Sequence, residues 1–204
     1  MQLKIISKQT ILVIAVPSGF VLFLSLLFYF IPQNKIKGSS ERLNENLSAL
    51  SNQEQTRAKL PVRLKIPSIN VDAYVEHTGL TPDGAMGVPK GNVNVAWYNL
   101  GPRPGENGSA TIAGHYGLKN NIPSVFDDLH KLRVGDRIYI EDEKGTDIIF
   151  VVQKIQIYDK DEDASDVFSS NDEKSHLNLI TCSGDWNTNE KTRSSRLVVF
   201  SDRE

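Results

Sequence analysis

The chain contains a single cysteine, Cys182, in the run NLITCSGDW. One thiol closes no intrachain disulfide, so whatever Cys182 does, it does as a thiol. Leu177, Leu179 and Ile180 lead into it as a strand, and Ser183, Gly184 and Asp185 are expected to end that strand. The sulfur would then open into a loop, where a rigid scaffold presents reactive groups. Thiolate chemistry needs an imidazole close by, to lower the thiol's pKa or carry its proton. His115, in SATIAGHYG, stands at the end of another β-like run and is bounded by Gly114 and Gly117. His77 at a strand end, His130 in a helix candidate and His176 ahead of a strand have no such setting. Arg196 lies in TRSSRLVVF, just before the last apolar strand, and a permanently charged guanidinium with fixed N–H donors suits an oxyanion or an acyl group. Arg193, three residues earlier, reads as a solvated arginine. Taken singly, each of these residues also has an ordinary reading: a free cysteine often just packs in a core, and a lone histidine or arginine often sits at a surface. The pairing of the only thiol with a glycine-bounded histidine favours nucleophilic chemistry.

These residues must be positioned by β-structure. From residue 60 onward, short apolar alternations are separated by Gly, Pro, Asn and Asp, the pattern of an all-β domain with many turns. Candidate strands cover residues 62–66, 71–76, 109–114, 137–141, 146–158, 177–182 and 196–201. One helix is expected over 123–132, where Phe126, Leu129 and Leu132 share a face and Ser124 stands near its start. Seven or eight strands in about 145 residues suggest a barrel or sandwich rather than βαβ units.

Ahead of this domain, residues 11–31 (ILVIAVPSGFVLFLSLLFYFI) carry no charge and are long enough to cross roughly 30 Å of hydrocarbon as a helix. No small-residue cleavage site follows, so the segment reads as an uncleaved anchor after a ten-residue N-terminus. Lysines and arginines flank it on both sides, which leaves its orientation open on charge alone. Residues 32–59 are polar, lack aromatic residues and cannot build a core; they read as a stalk. A formal net charge of −2 over 204 residues offers no basic field, so nucleic acid is not an expected partner.

The succession IAGHYG, VFDDLHKLRVGDRIYI, LNLITCSGDWN and RLVVF resembles the sortases, and most closely the class D to F group. The resemblance runs over about residues 60–200, including LKIPSINVDAYVEHTGL and the DGAMGVP and WYN segments. The family's T-C is matched by Thr181 and Cys182, its G-H by Gly114 and His115, and its final arginine by Arg196. The resemblance implies a closed eight-stranded β-barrel with one or two short helices, and a triad of His115, Cys182 and Arg196 at one end of strands four, seven and eight. It implies a cysteine transpeptidase that cleaves an LPxTG-like sorting signal of a secreted surface protein through a thioacyl intermediate. The acyl group would pass to an amine acceptor such as a peptidoglycan precursor or a pilin lysine. It also implies a single-pass anchor in the bacterial cell membrane with residues 60–204 outside the cell. Thr181, Trp97 and Tyr98 are expected at the substrate site, the two aromatic rings shielding the intermediate from water.

No cofactor and no metal are expected. The segment GPRPGENG has only Glu106 where some sortases carry a calcium-binding acidic cluster. The run DKDEDASD (159–166) has acidic residues at EF-hand spacing, yet Ala164 stands where glycine is needed and Ser170 where the bidentate glutamate belongs, so it reads as a solvated loop bordering the groove. Other classes fit less well. An L,D-transpeptidase places serine and histidine near its cysteine, and a papain-like peptidase puts cysteine before histidine. A membrane-anchored β-barrel binding module would require Cys182 to be inert.

Overall fold

The computed structural model describes residues 58–118 and 121–204, which belong to one compact unit, Thr56–Glu204. The expected anchor at 11–31 and nearly all of the expected stalk lie outside the described residues. Eight strands form a closed barrel: β1 (Pro61–Ile66), β2 (Val71–Thr78), β3 (Val95–Tyr98), β4 (Gly108–Gly114), β5 (Arg137–Asp142), β6 (Asp147–Asp159), β7 (Ser175–Asn187) and β8 (Thr192–Arg203). Around the barrel the order is β1-β2-β3-β4-β7-β8-β6-β5, closed by β5 on β1. Closure leaves no sheet edge open to pairing with another chain. Two pairs, β2/β3 and β4/β7, are parallel, and the rest are antiparallel.

Seven strands match the expected segments to within a few residues, with β7 and β8 extending well beyond them. The eighth, β3, escapes the alternation rule because Val95, Ala96 and Trp97 are all buried, and a short strand covered on both faces has no polar side to alternate with. The interior is filled by Leu64, Ile66, Ile112, Ile138, Ile140, Phe150, Leu177 and Leu179, all fully buried.

The helix expected over 123–132 is absent. In its place stands a chain of tight turns ending in a single 3-10 turn, Leu129–Lys131, with each local bond spanning three residues: Asp127 N–H to Ser124 O, Leu129 N–H to Phe126 O, Lys131 N–H to Asp128 O and Leu132 N–H to Leu129 O. The N–H groups of Val125 and Phe126, which a helix beginning at residue 123 would leave without internal partners, donate to Asn92 O and His115 O. The apolar spacing was meaningful all the same, since Phe126, Leu129 and Leu132 are fully buried. Burial at about 1.5–3 kcal/mol per side chain outweighs about 1 kcal/mol for each helical hydrogen bond forgone. Two further 3-10 turns, Pro67–Ile69 and Ser165–Val167, complete the short helical pieces among the described residues.

A second correction concerns the β7–β8 hairpin. Strand β7 does not end at Ser183 but runs on to Asn187, and β8 begins at Thr192 rather than at Arg196. The Gly184-Asp185 pair forms a bulge between Ser183/Ser195 and Trp186/Arg193. Gly184 takes φ +76°, and a Cβ there would lie 2.3 Å from Ser194 Oγ. Glycine therefore serves as the bulge residue, not as a strand breaker.

At the opposite end of β7, His176 lies within the strand and is held by two carboxylates, Asp202 on Nδ1 and Asp172 on Nε2, each at 2.7 Å. Burial pushes its pKa down, but the hydrogen bonds to Asp172 and Asp202 together outweigh burial and leave it raised. The sign follows from linkage: a raised folded-state pKa stabilises below the unfolded value of about 6.5, and the benefit is lost as pH rises through the folded value. In chemical denaturation, the stability advantage of the wild type over His176→Gln should therefore be larger near pH 6 than near pH 9. An advantage independent of pH would remove the ion-pair account.

Candidate active site

Pairing places the three chemical residues in one row. Cys182 on β7 lies directly opposite Arg196 on β8, a position in which Cβ atoms are about 4.5–5.5 Å apart. On its other side β7 runs parallel to β4 with Ala113 opposite Ile180. His115 follows Gly114, the last residue of β4, two places beyond that pair, as Cys182 is two places beyond Ile180. Along β7, Leu177, Leu179 and Thr181 face the core while Ile180 and Cys182 take the other face. The thiol, the imidazole and the guanidinium line one cleft of about 120 Å³, together with Met86, Val88, Ala113, Gly114, Phe168, Ile180 and Thr181. That volume would hold a few water molecules or a modest side chain.

Each element holds its residue for a local reason. Thr181 is buried, and its hydroxyl donates to Gly114 O at 2.7 Å, pegging β7 to β4 one residue before the thiol and one before the imidazole. Although Thr181 lines the cleft, its hydrogen bond runs to the scaffold. Gly114 is required because a Cβ there would meet the Phe126 ring at 2.3–2.8 Å. Phe126 N–H in turn donates to His115 O. The His115 ring lies 2.8 Å, through Nε2, from Pro89 O. A carbonyl only accepts, so Nε2 carries hydrogen and Nδ1 is the nitrogen left to exchange a proton. Arg196 donates to Arg193 O, Ser195 O and Thr192 Oγ1 at 2.9–3.1 Å. Of its five N–H groups, Nε–H and one on Nη2 have no partner among the described residues.

The cleft wall comes from two connections. Met86 and Val88 lie between β2 and β3, and Phe168 lies between β6 and β7. Thr111 Oγ1 and Asn178 Nδ2 both donate to Val167 O, fastening the β6–β7 connection over β4 and β7 and setting Phe168 at the groove. The acidic run at its start satisfies itself: Lys160 pairs with Asp161 and Glu190, Glu162 accepts from Asp159 N–H, Asp163 from Ser165 N–H, and Asp166 from Tyr158 OH. Among the described residues no group of three or more His, Cys, Asp or Glu side chains is placed to hold a metal ion.

The two rings expected at the substrate site take different places. Trp97 is buried in the core, donates to Pro102 O and meets His77 edge-on, while Tyr98 meets the ring of Phe168 at 5.7 Å. Neither ring is among the cleft-lining residues; Phe168 is, and Tyr98 touches its ring. Arg193 is not simply solvated. Its guanidinium stacks 4.7 Å over Tyr116 and donates to Gly184 O, joining the hairpin bulge to the histidine loop. Two roomier hollows of about 480 Å³ lie elsewhere, one by Asp159 and Ser194 and one by Asn70 and Asp127, but neither holds a thiol or an imidazole.

Residues 64–204 match the Sortase domain family. The chain belongs to the sortase family. Among solved structures, Streptococcus agalactiae sortase C1 in complex with MTSET is 26% identical, with a TM-score of 0.55 over 74% of this chain and 73% of that one. Sortase C-1 of Actinomyces oris (23% identity, TM-score 0.54, 78% and 81% covered) and the sortase D5 transpeptidase of Clostridium perfringens (22%, 0.52, 81% and 92%) share the fold. A comparison with curated proteins gives no match. The relatives are of C and D types, and the family is the level at which they agree. This sortase is thus an all-β closed barrel and a cysteine transpeptidase by family. Phe168 and the β2–β3 connection escaped the reading of its sequence as cleft-wall residues. The signal for Phe168 was a Val-Phe pair standing alone in the polar stretch DASDVFSSND.

Proposed function

We propose that this sortase cleaves an LPxTG-like sorting signal and transfers the acyl group to an amine of the cell wall or a pilin. Its anchor at residues 11–31 would hold the barrel on the outer face of a bacterial membrane. The observation that carries this reading is the convergence of the only thiol, His115 and Arg196 on one cleft with apolar walls. The Cys182 thiolate adds to the scissile carbonyl. The C–N bond breaks as the His115 imidazolium gives its proton to the leaving nitrogen, and a thioester remains on Sγ. An incoming amine then attacks the thioester, yields its proton to the now neutral His115, and the C–S bond breaks to restore the thiolate. Arg196 offers its unpartnered N–H groups to the oxyanion formed in each half-reaction. Apolar contacts from Met86, Val88 and Phe168 favour amine over water as the second nucleophile by limiting solvent at the thioester.

The test is turnover of LPxTG-like fluorogenic peptides by the full-length protein, with a panel of amine acceptors. Arg196→Ala should lose about 10²- to 10³-fold in rate, as for loss of one oxyanion donor. Arg196→Lys should recover little, because a point charge does not copy the guanidinium fork. Arg193→Ala removes a half-exposed stack on Tyr116, worth about 0.5–1 kcal/mol, and one hydrogen bond to Gly184 O, neither of them a contact to the reacting atoms, and should cost less than about 10-fold. The reverse order of these two losses would move the role from Arg196 to Arg193.

A further inference from the structure

A buried carbonyl determines which nitrogen of His115 is free, and one carboxylate holds the loop that carries it. Glu76, on β2, accepts three N–H groups from the β2–β3 connection: Lys90 N–H on Oε2 at 2.9 Å, and Gly91 N–H and Asn94 Nδ2–H on Oε1 at 3.2 and 2.8 Å. These bonds, led by that from Lys90, hold its pKa below the usual carboxylate range, so the acceptor stays ionised. The residue immediately before the bonded pair is Pro89, which is buried and whose carbonyl receives His115 Nε2–H. Proline cannot donate, so its carbonyl is its only polar backbone group, and its direction follows from how the next peptide units are fixed.

The same connection is anchored on its other side independently of Glu76. Asn92 Nδ2 donates to Ile122 O and Pro123 O, Asn92 Oδ1 accepts from Ser124 Oγ, and Val125 N–H donates to Asn92 O. The main chain at His115 has separate supports as well: Phe126 N–H on His115 O, and Asp127 Oδ1 on Gly117 N–H at 2.6 Å. Losing Glu76 therefore leaves the backbone of the histidine placed and frees chiefly the Pro89 carbonyl.

We propose that Glu76 is a positioning residue for His115: by fixing the Lys90–Gly91 turn it aims the Pro89 carbonyl at Nε2, which locks the ring orientation and keeps Nδ1 as the proton-exchanging nitrogen. Its consequence for turnover rests on the function proposed above. A carboxylate with three N–H partners supplies a fixed reference point that a water-filled loop would not, and its loss should change activity by about 10- to 100-fold, as for the outer partners of metal-bound histidines.

The experiment follows the four histidines of the ¹⁵N-histidine-labelled full-length protein by NMR, alongside turnover of an LPxTG-like peptide. In the wild type, neutral His115 should show a pyrrole-like Nε2 and a pyridine-like Nδ1. In Glu76→Ala these signals should move toward a tautomer mixture, and kcat should fall about 10- to 100-fold with KM unchanged. Glu76→Gln, which keeps one acceptor oxygen, should lie between, and Asn94→Ala, which removes a single partner, should shift least. These milder variants keep the question open to test if Glu76→Ala does not fold. An unchanged His115 tautomer in folded Glu76→Ala or Glu76→Gln, even with lowered thermal stability, would reduce Glu76 to a loop brace and overturn the proposal. So would a shifted tautomer with unchanged kcat. If the wild type shows the locked tautomer, and Glu76→Ala loses it, while no peptide is turned over, the proposed function fails and the Glu76 to His115 coupling stands.

Discussion

Cys182→Ala should fold like the wild type and form no thioacyl adduct at all. The side chain is half-buried and lines an open cleft, so removing its sulfur leaves the packed interior intact. The chain has no second thiol to substitute for it. The measurement is intact-protein mass after incubation with an LPxTG-like peptide, together with peptide cleavage. A mass increase on the wild type that vanishes in the variant, with both proteins melting at similar temperatures, is the expected result. Residual turnover in Cys182→Ala would end the thiol mechanism, whatever the other residues do.

His115→Ala should lose about 10²- to 10⁴-fold in turnover, the range for one acid/base group, and the upper part is expected because both half-reactions draw on the same proton. His115→Gln makes the comparison sharper. Its amide N–H can still donate to Pro89 O, so the packing of the β2–β3 connection is kept, yet an amide exchanges no proton near neutral pH. Both variants should therefore be equally impaired. If glutamine restored most of the rate, His115 would be serving as a hydrogen-bond donor, and the base would have to be sought elsewhere.

The parts of the site that could be read in the chain are those whose chemistry is written in residue type: a single sulfur, a histidine between glycines, an arginine before an apolar run. Strand positions were legible wherever one face meets solvent. What stayed hidden depends on contacts that composition does not encode. Gly184 and Asp185 have the look of a strand end and form a bulge, because the partner strand supplies Ser194 and Ser195 at the places that make glycine necessary. Phe126, Leu129 and Leu132 have helical spacing but belong to serial tight turns, in which each local N–H reaches back three residues rather than four while the segment is tied to Asn92 and His115. Arg193 resembles any exposed arginine until Tyr116 is brought beneath it. Glu76 carries no motif, and its meaning arises only when Lys90, Gly91 and Asn94 fold back on it.

The peg between Thr181 and Gly114 joins residues 67 positions apart in the chain, across a parallel pair of strands. Contacts of that separation form slowly, since the entropy of closing the intervening loop comes before any reward from pairing. The intervening segment includes β5 and β6, which take places elsewhere in the barrel, β5 beside β1 and β6 beside β8. Until β7 lies beside β4 the thiol has no imidazole beside it, and a nascent or misassembled molecule has a cysteine without the acid/base partner its chemistry needs. Enzymatic activity in this molecule is thus a report that folding has finished, and refolding followed by turnover should lag behind refolding followed by secondary structure.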